Sequence, residues 1–157
     1  LMSTFFGYGY LTKIPGTVTS LVTTVFIYIA YEYLGYTDLK FSIIFFTLLF
    51  FYSFYAVKDA ESEFKNKDPR QIVIDEVLGQ AMPLILILHL SQNNQLSLPI
   101  EIYYALSFLF FRFFDIIKPF PVSYFDKNFK NYFGIIMDDI MAGLYSMILI
   151  YLISLKF

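Results

Sequence analysis

The chain has 157 residues, the size of one domain, and is 58% hydrophobic with a mean hydropathy of +0.62 and a net charge of −2. That apolar content exceeds what a soluble domain carries and indicates an integral membrane protein, while the lack of a basic excess argues against nucleic acid as a partner. Cysteine is absent, which excludes thiolate nucleophiles, disulfides and cysteine-ligated metal or iron–sulfur sites.

The opening Leu1-Met2-Ser3 has neither the charged start nor the cleavage site of a signal peptide, so the chain is expected to lack its native initiator or to begin within a longer one. A glycine-containing stretch at 7–17 ends in Pro15-Gly16-Thr17 and leads into a mostly apolar run at 18–36. Pro15, Gly16 and the hydroxyls of Thr17, Thr19 and Ser20 suit a helix start, whose free backbone N–H groups take either an ordinary cap or an anion. A turn around Gly35, Asp38 and Lys40 separates this run from Phe41 to Val57, 17 residues without a charge and the clearest transmembrane candidate.

Residues 58–76 reverse the character, with 10 of 19 side chains ionisable. Asp59 and Glu63, four apart, read as a solvated helix face balanced by Lys58 and Lys65. Asp75 and Glu76 differ, because Val73, Ile74, Val77 and Leu78 flank them and a carboxylate among such neighbours is costly unless paired or bound to metal. The following run at 77–90 contains Gly79, Pro83 and His89 and leaves a full crossing and a bent or incomplete one both open. His89 stands far along the chain from the acids and reads as a packed or interfacial residue.

Residues 91–99 are polar but uncharged and read as a loop. Residues 100–117 are apolar and aromatic until Arg112 and Asp115, and Lys118-Pro119-Phe120-Pro121 stops the helix. Arg112 and Asp115, three apart on one face, fit an intrahelical salt bridge or a phosphate clamp. After a polar connection at 122–133, the last apolar segment, from about Gly134 to Leu155, opens with Ile135-Ile136-Met137-Asp138-Asp139. A helix N-terminus favours each of these carboxylates by only about 0.3–1 kcal/mol, less than burial costs.

These runs predict an all-α fold, a polytopic membrane helical bundle of about five apolar helices with an acidic site at one membrane interface. Alternate crossing sorts 7–17, 58–76 and 112–139 onto one side, together with nine of the 11 Lys and Arg residues. The positive-inside rule makes that side cytoplasmic. Asp68, Asp75, Glu76, Asp115, Asp138 and Asp139 fall there too. Carboxylates beside Arg112 and Lys118 have the composition of a site that holds Mg²⁺ and a phosphate together. Without cysteine, a P-loop or an Asp-x-Asp motif, metal-activated water is the leading nucleophile. The alternatives are an ion-coupled membrane transporter using intramembrane carboxylates, which would set them near the midplane of repeated halves, and a non-catalytic helical module with solvated acidic loops.

Four segments then carry a family resemblance: Tyr8-Gly9-Tyr10-Leu11 with Pro15-Gly16-Thr17, Asp68-Pro-Arg-Gln-Ile-Val-Ile-Asp75-Glu76-Val-Leu-Gly79, Phe111-Arg112-Phe113-Phe114-Asp115-Ile-Ile-Lys118-Pro119-Phe-Pro121, and Gly134-Ile-Ile-Met-Asp138-Asp139-Ile-Met-Ala142-Gly143. In this order, over nearly the whole chain, they closely resemble the motifs of the phosphatidylglycerophosphatase A family, departing at Thr19, where that family often has glycine. The resemblance implies that residues 1–157 form a single domain of this type. It also implies a Mg²⁺-dependent, multi-pass phosphatase of the bacterial inner membrane, with its active site on the cytoplasmic side, that hydrolyses phosphatidylglycerophosphate, a phospholipid in the bilayer, to phosphatidylglycerol and phosphate. Carried over motif by motif, Asp75, Glu76, Asp115, Asp138 and Asp139 become catalytic, and Asp75, Glu76, Asp138 and Asp139 become the Mg²⁺ ligands. Arg112, Lys118 and Thr17 become phosphate-binding, and Asp68, Pro15 and Gly16 supporting residues.

Overall fold

The structure, a computed structural model, describes residues 14–63, 73–129 and 131–156, without the side chains of 59–63 and 156. Asp68 and the side chains of Asp59 and Glu63 therefore lie outside the described residues. Six helices and no strand occur among the described residues: α1 (Pro15–Glu32), α2 (Leu39–Glu63), α3 (Ile74–Gln92), α4 (Ile100–Ile117), α5 (Val122–Asn128) and α6 (Tyr132–Lys156). The five long helices match the expected apolar runs. The stretch expected as a polar connection at 122–133 contains the short α5.

Local chemistry explains where the helices begin and end. Pro15 occupies the first position of α1, where its missing N–H is not needed and its φ is already helical. Asp38 Oδ1 accepts the backbone N–H of Lys40 at 2.9 Å and so caps the start of α2. The end of α4 is set by Lys118, whose φ of 48° lies in the left-handed region and whose N–H closes the helix on the Phe114 carbonyl at 2.9 Å. Pro119 then forbids continuation.

Three helices, over Leu39–Lys58, Ile74–Gln92 and Tyr132–Leu155, are long and apolar enough to cross a membrane. The run at 77–90 belongs to one uninterrupted 19-residue helix, about 28 Å long at 1.5 Å per residue, with Pro83 inside it. Asp75 and Glu76 thus stand in the first turn of α3, inside the helix and not in the loop before it.

The buried helix is α3, which packs against α1, α2, α4 and α6. Leu84, Ile87 and Leu90 meet Tyr103 of α4 and Ile150 of α6 toward one end, and Leu78 meets Val57 of α2 and Ile136 of α6 toward the other. By contrast α2 leaves Phe41, Ile44, Phe45, Leu48 and Phe51 exposed. So large an apolar surface is stable only against hydrocarbon or a partner, and a bilayer supplies the first.

α3 and α6 cross backbone to backbone. A Cβ on Gly143 would stand 2.4 Å from the Gly79 carbonyl oxygen, and one on Gly79 would stand 2.6 Å from the Asp139 carbonyl oxygen and 2.5 Å from the Phe111 ring. Each glycine lies four residues after an aspartate, Asp75 or Asp139, so this crossing brings the two acidic pairs together one turn away. Gly143→Val should force the helices apart, lowering stability by about 1–3 kcal/mol and the melting temperature in detergent accordingly; an unchanged melting temperature would rule out the close crossing.

Candidate active site

Every acidic residue of interest within the described residues sits near the same end of the bundle, where α1, α3 and α6 begin and α4 ends. Glu76 Oε2 accepts a hydrogen bond from Arg112 NH1 at 2.9 Å and from Ser20 Oγ at 3.2 Å. Gly16 lets α1 approach this carboxylate, since a Cβ there would stand 1.8 Å from Glu76 Oε1. The Ser20 hydroxyl also reaches the Gly16 carbonyl at 3.0 Å. The same Arg112 nitrogen lies 2.7 Å from Asp115 Oδ2. The intrahelical salt bridge is therefore formed, and it is extended to a second helix. Arg112 Nε is buried with no hydrogen-bond partner among the described residues.

Lys118 forms the second cationic centre. Its Nζ lies 2.6 Å from Asp126 Oδ1 of α5 and 2.7 Å from Asp138 Oδ2 of α6. Burial alone would push the Lys118 pKa down, but the Asp138 and Asp126 carboxylates outweigh it and hold the value above the usual lysine range. With the folded value raised, the stabilisation from this contact is complete at neutral pH and is lost only as pH rises through that raised value. The left-handed backbone at Lys118 is a conformation that non-glycine residues adopt rarely. It turns the chain at the point where this ammonium joins α5 and α6.

The two acidic pairs make the same local contact: Asp75 Oδ1 accepts the Glu76 N–H at 3.0 Å, and Asp138 Oδ1 accepts the Asp139 N–H at 3.0 Å. Asp75, Asp138 and Asp139 are only 7%, 7% and 4% exposed. Asp139 feels the charges of Asp115, Asp75, Asp138 and Glu76, and Asp75 those of Glu76 and Asp138. Among the described residues Arg112 pairs with Glu76 and Asp115, and Lys118 with Asp126 and Asp138, while no cation pairs with Asp75 or Asp139. Buried carboxylates in that position require a proton or a cation.

No group of three or more His, Asp or Glu side chains among the described residues is assembled to hold a metal ion. The donors are nonetheless all carboxylate oxygens, the kind Mg²⁺ prefers, and the charge imbalance at Asp75 and Asp139 is of the sign a divalent cation would correct. In chemistry and charge, the residues fit such an ion.

The expected residues are mostly brought together. Asp75, Glu76, Arg112, Asp115, Lys118, Asp138 and Asp139 converge, and Pro15 and Gly16 are buried at the adjoining start of α1. Thr17 is half-buried there, and among the described residues no hydrogen bond links it to the ionic network. His89 is exposed near the far end of α3 and neighbours Asn93, as an interfacial residue would. Asp126 was not anticipated, and Ser20, expected as a helix-start hydroxyl beside a cap or an anion, instead donates to Glu76 and to the Gly16 carbonyl. The spacing of Gly16 and Ser20, one helical turn apart, is the signal that a small-residue face meets something there; Asp126 looks like one of several solvated charges until Lys118 is seen to reach it.

An all-helical bundle with three membrane-length apolar helices, and a cluster of buried carboxylates and two cations at one end, defines a polytopic membrane protein. A family model described as Phosphatidylglycerophosphatase A matches residues 1–154, and the chain belongs to that family. It is therefore an enzyme of the phosphatase class, hydrolysing a phosphate monoester, and not an ion-coupled transporter. It is 35% identical over 154 residues, 98% of this chain and 87% of the relative, to a Haemophilus influenzae protein named Phosphatidylglycerophosphatase A. An Escherichia coli protein of the same name is 28% identical over 154 residues, 98% of this chain and 82% of the relative. A Bacteroides thetaiotaomicron protein named "Putative phosphatidylinositol-3-phosphatase" is 34% identical over 151 residues, 96% of this chain and 89% of the relative. No solved structure matches the chain.

Replacing Arg112 by Met removes the one cation that Glu76 and Asp115 share. The expected loss is about 3 kcal/mol of stability, the order found when one partner of a buried ion pair is deleted. Adding Glu76→Gln to that variant should recover part of the loss in a double-mutant cycle of detergent unfolding; strictly additive losses would show that the pair is not coupled.

Proposed function

We propose that this enzyme hydrolyses phosphatidylglycerophosphate to phosphatidylglycerol and inorganic phosphate at the cytoplasmic face of a bacterial inner membrane, with Mg²⁺ as its cofactor. The observation that carries the reading is the buried pair Asp75 and Asp139, without a cationic partner among the described residues, beside the two cations Arg112 and Lys118. The names of the Haemophilus influenzae and Escherichia coli relatives supply the substrate. Alternate crossing of the apolar runs gathers nine of the 11 Lys and Arg residues of the sequence on one side, which supports the cytoplasmic orientation.

Asp75, Glu76, Asp138 and Asp139 would hold the Mg²⁺. When bound, such an ion polarises a phosphoryl oxygen and lowers the pKa of a coordinated water. Arg112 and Lys118 bind the non-bridging oxygens of the phosphate and neutralise charge that grows on them in the transition state. Asp115 and Asp126 hold those two cations in place until the phosphate arrives. One of the site carboxylates takes the proton of the attacking water. The lipid tails stay in the bilayer, and the headgroup alone enters the ionic end of the bundle.

A second reading keeps the chemistry and changes the headgroup to a phosphorylated inositol lipid, as the name of the Bacteroides thetaiotaomicron relative has it. Phosphate release from detergent-dispersed phosphatidylglycerophosphate and phosphatidylinositol 3-phosphate, with and without Mg²⁺, separates the two. The expected outcome is Mg²⁺-dependent release, faster from phosphatidylglycerophosphate, and a fall on the order of 100-fold or more in Asp75→Asn and Asp139→Asn. Full activity in both variants would sink the proposed site, and preference for the inositol lipid would transfer the enzyme to the second reading.

A further inference from the structure

A groove runs between α1 and α4 on the outside of the bundle, walled by Leu21 and Val25 on one side and by Ala105, Phe108 and Leu109 on the other. Its walls are apolar even where a hydroxyl lines it, because Thr24 Oγ1 donates to the Ser20 carbonyl of its own helix at 2.9 Å. Leu21, Val25 and Leu109 remain 47%, 47% and 57% exposed, so the groove is open along its side. At its foot Tyr28 packs edge to face on Tyr104, with ring centroids 4.9 Å apart, beside Glu101.

The helical register says where the groove leads. On α1 the lining residues 21, 24, 25 and 28 lie on one stripe, which continues one turn back to Thr17. On α4 the lining residues 101, 105, 108 and 109 lie on one stripe, which continues one turn on to Arg112. Both walls therefore run up to the ionic end, one to the half-buried hydroxyl of Thr17 and the other to the guanidinium that bridges Glu76 and Asp115. From Thr17 to Tyr28, and from Glu101 to Arg112, is 11 residues, about 16 Å along a helix. The lined part of this length, Leu21 to Tyr28 and Glu101 to Leu109, covers seven and eight residues, about 10–12 Å.

We infer that this groove holds one acyl chain of the lipid substrate, whose phosphate is thereby delivered to Arg112, with Thr17 at the mouth of the groove. This rests on the lipid phosphatase reading above. An apolar groove, open along its side, whose α4 stripe continues one turn on to Arg112, has the charge order of an anionic phospholipid: chain below, phosphate above. It also gives Thr17 a place beside the headgroup, although that hydroxyl takes no part in the ionic network. The occupant is the substrate's own chain and not bulk lipid, because the α4 wall continues to Arg112 of the ionic network.

Filling the groove tests this. Ala105→Phe should lower kcat/KM for long-chain phosphatidylglycerophosphate about tenfold or more, through KM, since the added ring occupies the space of the chain and its packing contacts with the groove walls are lost. For a dibutyryl analogue, too short to reach the groove, kcat/KM should change by less than about twofold. Equal effects on both substrates, or none on either, would overturn the proposal. Labelling of the wild-type enzyme covers the case in which the variant does not fold. Phosphatidylglycerophosphate with a diazirine in one acyl chain should label the segments holding Val25 and Leu109, and unlabelled phosphatidylglycerophosphate should compete while phosphatidylcholine should not. Labelling confined to the outer face of α2, or competed equally by phosphatidylcholine, would sink the acyl-chain assignment. Labelling does not need turnover, so a labelled groove without phosphate release would refute the phosphatase reading alone, and phosphate release without labelling would refute the groove alone.

Discussion

The imbalance of charge at one end of the bundle is the constraint on which the rest depends. Asp75, Glu76, Asp115, Asp138 and Asp139 are gathered from three helices in a setting of low dielectric, and among the described residues Arg112 and Lys118 are the cations paired within this group. Each carboxylate would be cheaper in water. The surrounding backbone is shaped so that they stay together. Gly16 clears space for Glu76, Gly79 and Gly143 let α3 and α6 touch, and Lys118 accepts a left-handed backbone at the end of α4. A protein that only needed to fold would have no reason to combine these costs at one end; the proposed binding of a cation and an anionic headgroup there supplies one.

The two cations differ in how they are held. Arg112 offers one nitrogen to carboxylates on two helices, and its planar guanidinium keeps further donors in fixed directions. Lys118 is a point charge whose place is set by Asp126 and Asp138 and by the backbone turn beneath it. In the proposed function, a phosphate entering the site meets one donor with a built-in plane and one that follows its neighbours.

Much of this arrangement was legible in the sequence, for identifiable reasons. The apolar runs were long enough to register as helices, and the acids were anomalous because they interrupted or abutted such runs. Alternate crossing was then sufficient to collect them at one end. The contacts of Ser20 with Glu76 and of Asp126 with Lys118 escaped because hydroxyls near a helix start and charges in a polar connection have ordinary explanations that only tertiary proximity displaces. The extent of α3 was ambiguous because Pro83 and Gly79 are helix-breaking residues by propensity. Packing on four sides overrides that propensity, and Gly79 has a use that no single-helix argument reveals, the near contact with Gly143 of a distant segment.

That contact has a mechanical side. The crossing lies one helical turn, about 5.4 Å, from the aspartates, whereas the opposite end of α6 extends 12 residues beyond Gly143 to Leu155, about 18 Å. Helices tilt to match bilayers of different thickness. For α6 tilting together with the residues packed on Ile150, a rotation about this crossing displaces the far end roughly three times as far as the acids. The short lever arm insulates the reacting end of the molecule from the membrane it lives in.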